Sequence, residues 1–257
     1  MNQIQKAAEL LWQSSISKKV IPPVREILTA TNIEDAYQVQ QINVQKRIAN
    51  GEITVGKKIG LTSFAVQEQL GVDQPDFGIL FNTTEVADNG TLSYEELMQP
   101  KAEAEIAFVM AKDLDEYITL EKLVDAIDYA CASIEIVGSR VENWNIRITD
   151  TIADNASASH FVMGKTQVKL DQIDLINCKM EMTKNGKVAS TGVGKACMDN
   201  PLNAALWLAK VMAERGTPLK AGEILLSGAL GTMVVIEKGD KFTAEIEGLG
   251  SVSLKID

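Results

Sequence analysis

The hydrophobic and polar positions of this 257-residue chain follow two different periods, one before and one after about residue 54. In the first part, apolar residues recur at the three-to-four-residue spacing of amphipathic helices, which predicts helices over residues 2–15 and 33–50. The second of these starts at a typical cap, Thr31-Asn32, and Gly51 follows its end. We therefore expect an N-terminal helical part over residues 1–54.

After residue 54, short apolar and β-branched runs alternate with Gly, Pro, Asn and Asp, as is typical of strands joined by turns. Helical spacing returns at about 119–131 and 200–216, and Asn185-Gly186 has the composition of a tight hairpin turn. The predicted strands are Val55–Leu61, Gly78–Phe81, Glu103–Met110, Ser133–Val137, His160–Met163, Cys178–Thr183, Glu223–Leu226, Met233–Glu237 and Phe242–Ile246. The pattern indicates a β-rich core over residues 55–257, with helices packed outside it.

Two glutamates on one predicted strand are the most informative polar residues of this core. Glu103 and Glu105 are separated by one residue, so both side chains point to the same face of the strand, next to apolar positions. A third acid, Glu135, lies inside another apolar run. Close carboxylates are costly to bury unless a cation lies between them. Three oxygen donors favour Mg²⁺ or Mn²⁺, although Glu103 and Glu105 alone also fit a solvated strand face.

Three further clusters carry polar groups suited to chemistry. Lys57 and Lys58 alternate across a predicted strand, so one of them faces inward; the alternative is a charged pair that protects a sheet edge. Asp76 lies in the sequence Gln-Pro-Asp-Phe-Gly, which also fits a plain Asp turn. Residues 144–159 form a polar stretch without a regular period, which is either a loop that closes a site or a simple connection.

Charge and residue counts disfavour several classes of protein. The net charge of −10 disfavours nucleic acids and anionic membranes as partners, and no stretch approaches the roughly 18 apolar residues of a membrane-spanning helix. The three cysteines, Cys131, Cys178 and Cys197, form no metal or disulfide pattern, so we expect buried free thiols and a cytoplasmic protein. A single histidine, His160, excludes a zinc site with two histidines, and a direct catalytic role for it is the less favoured interpretation.

Five motifs, in order along the chain, resemble the 2-oxopent-4-enoate hydratases, also called 2-hydroxypenta-2,4-dienoate hydratases, of the fumarylacetoacetate hydrolase superfamily. They are GKKIGLTS from residue 56, QPDFG from residue 74, AEAEIAF from residue 102, the strand of Glu135 followed by Ser139-Arg140, and DTIADNAS from residue 150. The resemblance extends from the helix around Ala36-Tyr37 to the turn at 248–251. It implies an α+β fold, with a mixed β-roll or sandwich core of the fumarylacetoacetate hydrolase type and an N-terminal helical extension.

The resemblance also implies the composition of the site. Mg²⁺ or Mn²⁺ would bind Glu103, Glu105 and Glu135, as the residue pattern suggests independently. Lys58 would contact the substrate and Asp76 would act as general acid/base.

Two serines complete the expected site, and one glycine departs from the pattern of the relatives. Ser157 and Ser227 are candidate substrate-binding residues beside Lys58. Gly138 stands where relatives usually carry an acid, which removes the partner expected for Arg140. Relatives further imply a homo-oligomer and an association with a sister decarboxylase.

The activity that the resemblance implies is hydration of 2-hydroxypenta-2,4-dienoate to 4-hydroxy-2-oxopentanoate, in the meta-cleavage degradation of aromatic compounds. Related 4-oxalocrotonate decarboxylases are the main alternative, together with other lyases that cleave C–C bonds of 2-oxo acids. They typically lack the acid of QPDFG, so Asp76 favours hydration, which needs a group to handle water and protons. A non-catalytic partner subunit is the third hypothesis.

Overall fold

The N-terminal part is helical and the remainder is mostly strands, in a computed structural model that describes residues 2–28, 33–64, 67–68 and 72–257. The helices are α1 (Gln3–Ser17), α2 (Ile33–Ala49), α3 (Leu120–Ala126), α4 (Ile148–Ala153) and α5 (Pro201–Glu214). The strands are β1 (Thr54–Gly60), β2 (Asp76–Phe81), β3 (Glu85–Val86), β4 (Gly90–Leu92), β5 (Lys101–Met110), β6 (Ile127–Val137), β7 (Ala158–Met163), β8 (Lys179–Lys184), β9 (Lys187–Val193), β10 (Ile224–Ala229), β11 (Val234–Val235), β12 (Lys241–Ile246) and β13 (Gly250–Ile256). Within the described ranges, no helix is long and apolar enough to cross a membrane.

The larger sheet contains eight of the described strands, in the order β2-β1-β10-β5-β6-β7-β3, with β11 also paired to β5. Its centre is the long antiparallel pair of β5 and β6. Strand β1 lies between β2 and β10, so it is an internal strand. The interpretation of Lys57 and Lys58 as protectors of a sheet edge is therefore wrong.

The two faces of this sheet have different surroundings, because successive side chains on a strand point in opposite directions. On one face, residues such as Ile106 and Phe108 belong to the main hydrophobic core, shared with the helices and the second sheet. The opposite face, which we call the site face, carries a small apolar cluster at one end and acidic side chains at the other. The cluster consists of Leu80, Ala107, Cys131, Phe161, Ile224 and Leu226.

The smaller sheet has five described strands in the order β4-β13-β12-β8-β9 and packs on the main core through residues such as Phe242. The predicted hairpin at Asn185-Gly186 is present, with φ of 55° and 76°, as a two-residue turn between β8 and β9 requires. Ala8 of α1 and Val39 of α2 belong to the same core. The α+β class is confirmed, whereas the division at residue 54 stays a prediction.

Four local predictions differ from the structure. The helix predicted over 119–131 ends at Ala126, because the alanine-rich continuation pairs with β5 as a strand, and pairing partners override local propensity. The stretch 144–159, predicted to be irregular, contains α4. The C-terminal strand β13 was missed, and Asp76 begins β2 instead of lying in a turn. The predicted cap at Thr31-Asn32 lies outside the described residues.

Candidate active site

Strands β5 and β6 bring three carboxylates together on the site face. Glu103 lies directly opposite Glu135 in the antiparallel register, and Glu105 follows on the same face. One carboxylate oxygen from each residue lies within 4.8 Å of the others. Glu105 and Glu135 are 1% and 0% exposed, and Glu103 is half-buried. The alternative of a solvated strand face is therefore wrong.

The charges in this cluster are strongly perturbed by burial. Burial, reinforced by the neighbouring Glu135 carboxylate, raises the pKa of Glu103 to about 7 and the pKa of Glu105 well above its ordinary value. Burial also raises the pKa of Glu135, against the attraction of Lys58, whose Nζ lies 3.2 Å from Glu135 Oε1. Burial alone would lower the pKa of Lys58, but Glu135 and Asp76 raise it, so this lysine stays charged.

The cluster has a deficit of positive charge that fits a divalent cation. Both oxygens of Glu135 and Oδ1 of Asp76 are buried, and apart from the Lys58–Glu135 ion pair they have no hydrogen-bonding partner in the described part of the chain. When Glu103, Glu105, Glu135 and Asp76 are all ionised, they carry three more negative charges than Lys58 can balance, and their raised pKa values reflect this imbalance as well as burial. Buried charges of one sign require a counter-ion, and a donor set made only of carboxylates suits a hard divalent ion. The three glutamates could hold such an ion.

Strand β10 closes the cluster from the other side of β5. Its pairing with β5 shifts between Leu226 and Ala229, and this irregularity directs the Gly228 N–H to Glu105 Oε2 at 2.9 Å. Gly228 has φ of +109°, and a Cβ there would lie 2.1 Å from Thr62 Oγ1, so only glycine fits. Ser227 is fully buried next to this amide. The structure thus places Ser227 beside the carboxylate cluster.

Asp76 and Lys58 reach the site from the neighbouring strands β2 and β1. Asp76 pairs with Gly60, two residues after Lys58, so the two side chains share the site face. Asp76 is 1% exposed, and burial raises the pKa of its carboxyl against the attraction of Lys58. Lys57 points to the opposite face and forms an ion pair with Glu223 at 2.5 Å. The expectation that one of the two lysines faces inward is confirmed.

The segment after β6 brings Ser157 to the same region and supplies a partner for Arg140. The Arg140 guanidinium forms an ion pair with Asp154, and its backbone N–H donates to Asp154 Oδ2 at 2.9 Å. The expectation that Arg140 lacks an acid was wrong, because the acid comes from the DTIADNAS motif. A side chain at Gly138 would place its Cβ 2.8 Å from the Met98 carbonyl oxygen, which leaves no room for an acid.

His160 and the cysteines lie outside the carboxylate cluster. On β7, Phe161 pairs with Glu135 and therefore lies on the site face, whereas the preceding residue, His160, pairs with Ile136. Because neighbouring side chains on a strand point in opposite directions, the His160 side chain points away from the site face. Cys131 is a buried free thiol, as predicted, and so are the other two cysteines. Burial raises the pKa of Cys197 to about 12, which keeps this thiol protonated.

Sequence reasoning missed four contributors to the site. Thr151 donates to Asp76 Oδ2 at 3.1 Å, the Gly228 amide binds Glu105, and Gly60 leaves room for Asp76 Oδ1. Thr151 lies in the DTIADNAS motif and Gly60 in the GKKIGLTS motif, so their place in these motifs could have marked them as site residues. Gly228 carried no signal beyond its residue type. A fourth residue, Gln40 of α2, supports the site by donating to the carbonyls of Phe77 and Ile152, at 2.8 and 3.2 Å.

Sequence comparisons with known proteins match this chain over most or nearly all of its length. The model of the fumarylacetoacetate (FAA) hydrolase C-terminal family matches residues 53–257. The chain is 50% identical over 250 residues to 2-keto-4-pentenoate hydratase 2 of Dechloromonas aromatica, covering 97% of this chain and 95% of that protein. It is 47% identical over 256 residues to 2-keto-4-pentenoate hydratase of Paraburkholderia xenovorans, covering 99% and 95%.

A solved structure is also closely similar. It is 4-oxalocrotonate decarboxylase from Pseudomonas putida G7, complexed with magnesium and adipate, with a TM-score of 0.94 and 34% identity over 99% of this chain and 97% of that one. The similarity of fold therefore includes the N-terminal helices as well as the matched region. The chain belongs to the fumarylacetoacetate hydrolase family.

Proposed function

We propose that this protein is a divalent-metal-dependent hydro-lyase that adds water to 2-hydroxypenta-2,4-dienoate and yields 4-hydroxy-2-oxopentanoate. In this proposal it serves the meta-cleavage degradation of aromatic compounds. One observation carries it: the buried glutamates, Lys58 and Asp76 share one face of the sheet, in a chain about half identical to proteins named as hydratases of this substrate class.

The proposed metal ligands are Glu103, Glu105 and Glu135, and the proposed ion is Mg²⁺ or Mn²⁺. Both ions prefer oxygen donors, and the three carboxylates offer only oxygen. When bound, such an ion supplies Lewis-acid polarisation of a chelating 2-oxo acid. The Gly228 amide fixes Glu105, so this ligand is already oriented by the backbone.

The proposed role of Lys58 is to hold negative charge on the substrate oxygens. Lys58 is 3% exposed, so the field of its ammonium group is weakly screened by water. The proposed role of Asp76 is to carry the proton, since its buried carboxyl has a raised pKa and one oxygen without a partner in the described part of the chain. Ser157 and Ser227 are proposed to contact the substrate, since Ser157 lies next to Thr151, which binds Asp76, and Ser227 precedes Gly228, whose amide binds Glu105.

The reaction balances with water as the only co-substrate. The dienol loses the proton of its C2 hydroxyl and gains a proton at C5, which gives 2-oxopent-3-enoate. Water then adds across the remaining double bond, with oxygen joining C4 and a proton joining C3. Asp76 is proposed to act in the addition of water, because one of its oxygens and Lys58 Nζ both lie beside Gly60, close to where the lysine would hold the substrate oxygens.

A direct assay separates this proposal from the decarboxylase alternative. That alternative is tested because the similar magnesium-bound structure is a 4-oxalocrotonate decarboxylase. The protein is incubated with freshly generated 2-hydroxypenta-2,4-dienoate, and separately with 4-oxalocrotonate, each with Mg²⁺ or Mn²⁺. We expect loss of diene absorbance and a product heavier by one water from the first substrate. Release of CO₂ from the second without hydration of the first would support the decarboxylase, and inactivity on both would favour a non-catalytic subunit.

We further propose that the protein acts in the cytoplasm as a homo-oligomer and associates with a sister decarboxylase. The support is the agreement with relatives over nearly the whole chain. Light scattering on the purified protein, alone and mixed with the sister enzyme of the same pathway, measures both associations. A monomeric mass at micromolar concentration would contradict the first, and unchanged mass on mixing the second.

A further inference from the structure

The two carboxylate oxygens of Asp76 have different surroundings. Oδ2 accepts a hydrogen bond from the Thr151 hydroxyl at 3.1 Å. Oδ1 is buried and makes no hydrogen bond within the described ranges. It lies beside Gly60, where a Cβ would come within 2.2 Å of Oδ1 and 3.4 Å of Lys58 Nζ. One oxygen is therefore held by Thr151, and the other is left next to the lysine.

Thr151 is presented to Asp76 by a helix that is fixed at both ends. At its beginning, Asp150 forms an ion pair with Arg25 and accepts a hydrogen bond from the Arg25 backbone N–H at 2.9 Å. At its end, Asp154 is bound by Arg140. Thr151 itself is 5% exposed. The position of its hydroxyl is thus set by ion pairs on either side of it.

Ser157 extends the same line of hydroxyl groups, since its Oγ lies 3.4 Å from Thr151 Oγ1. It ends a run, Asn155–Ser157, in which φ is 56°, 50° and 57°, a left-handed conformation that such residues rarely adopt in succession. The Asn155 side chain stabilises the run by accepting from the Ile79 N–H at 2.8 Å and donating to the Ile79 carbonyl at 2.9 Å. The turn that carries Ser157 is therefore tied to the strand that carries Asp76.

We infer that Thr151 is a positioning residue for Asp76. Its hydroxyl holds Oδ2, accepts a hydrogen bond from Ser157, and leaves Oδ1 as the oxygen that transfers the proton. This inference rests on the proposed hydration and adds the atom of Asp76 that acts. A carboxylate anchored at one oxygen cannot rotate freely, so its other oxygen keeps one direction relative to the substrate.

Two substitutions of Thr151 separate the hydroxyl from the packing of the side chain. Thr151→Val keeps the shape and removes the hydroxyl, whereas Thr151→Ser keeps the hydroxyl and removes a methyl group. We expect Thr151→Val to lower kcat about 10- to 100-fold, since a hydrogen bond to a charged group is lost. KM and Mn²⁺ affinity should stay within about twofold, because substrate and metal contacts are untouched, and Thr151→Ser should recover most of kcat. Thr149→Val, which removes another buried hydroxyl from the same helix, should leave kcat unchanged.

The outcomes distinguish this inference from the proposed function. If the wild-type protein hydrates the dienoate and Thr151→Val has a normal kcat, the inference about Thr151 is overturned but the proposed function is not. Equal losses in Thr151→Val and Thr151→Ser would also overturn it, because the methyl group and its packing would then matter. A loss of Mn²⁺ affinity equal to the loss of kcat would point to general disruption and count against it. Failure of the wild-type protein to hydrate the dienoate would overturn the proposed function, and the inference with it.

Discussion

Lys58 on β1 and Glu135 on β6 bring their charged groups to 3.2 Å although two strands, β10 and β5, lie between them. Strands are about 4.8 Å apart, so three spacings across a flat sheet would separate the backbones by roughly 14 Å. The long side chains of Lys58 and Glu135 therefore reach towards each other over β10 and β5, at the end of β10 where its pairing with β5 is irregular. Charged groups from four strands, β1, β2, β5 and β6, are thereby concentrated in a small volume.

Glu105→Gln should have opposite effects on the protein with and without metal. Changing a residue that only supports a metal ligand typically weakens metal binding about 10- to 100-fold. Loss of a charged ligand itself should weaken Mn²⁺ binding at least as much, and activity should fall with it. Without metal, the same change relieves repulsion among buried carboxylates and should raise Tm. Calorimetric Mn²⁺ titration and thermal unfolding in EDTA measure the two effects. Glu181→Gln, on an exposed position of β8, is the matched control and should change neither. Unchanged Mn²⁺ affinity in Glu105→Gln would remove Glu105 from the ligand set.

Lys58→Ala and Lys57→Ala should separate activity from stability. Lys58 faces the carboxylates, so its loss should reduce activity by orders of magnitude, whereas Lys57 lies on the other face with Glu223. Lys57→Ala should mainly lower the free energy of unfolding, on the order of 1 kcal/mol, with near-normal kcat. Steady-state kinetics and urea unfolding of both variants test this. A larger kinetic loss in Lys57→Ala would mean that the roles of the two faces are reversed.

Asp76→Asn should retain metal binding but lose turnover. Amide and carboxylate have nearly the same shape, and a positioned acid/base contributes about 10²- to 10⁴-fold in rate. Because ketonisation depends more on the metal than on this acid, the variant should accumulate 2-oxopent-3-enoate, which proton NMR of the reaction mixture detects. Asp73→Asn, three residues earlier and exposed, provides the control. Wild-type hydration rates in Asp76→Asn would exclude Asp76 from the mechanism.

His160 should make the folded protein sensitive to mild acid. Burial, reinforced by the positive charges of Lys18, Arg47 and Arg140, lowers the pKa of His160 from 6.5 to about 4. The acid that faces its ring, Glu96 at 3.6 Å, is largely exposed and does not reverse this shift. Between these values the unfolded chain binds a proton that the folded chain does not, so stability falls as pH falls from 6.5 to 4. The slope should approach at most about 1.4 kcal/mol per pH unit.

Urea unfolding at several pH values, for wild type and His160→Asn, measures the contribution of this residue to the free energy of unfolding. Because the chain has a single histidine, the difference between the two curves belongs to this site. Parallel curves over pH 4 to 6.5 would contradict the prediction.

The parts of the site that sequence could predict are those fixed by local periodicity. Glu103 and Glu105 share a face because side chains alternate along any strand, and Lys57 and Lys58 diverge for the same reason. The register that places Glu103 opposite Glu135 depends on pairing between distant segments, which no local pattern specifies.

The contact of Thr151 with Asp76 was beyond sequence reasoning for another reason. It depends on a short helix followed by three left-handed residues, and neither has a characteristic hydrophobic period. The end of α3 at Ala126 was also beyond local patterns. The helical spacing continues past this residue, but the chain there pairs with a distant strand instead. Motif resemblance carried information about these positions that periodicity did not.

Gln40 has a consequence for how this chain could exchange segments with its relatives. Its amide joins the strand of Asp76 to the helix of Thr151, yet it belongs to α2, before the region matched by the family model begins at residue 53. A recombinant that took residues 53–257 from this protein and its first helices from another would keep every proposed ligand and acid. It would still lose the brace between β2 and α4 unless the donor supplied a glutamine at the same place. The point where the family model begins to match is therefore not a point at which the molecule can be cut and rejoined.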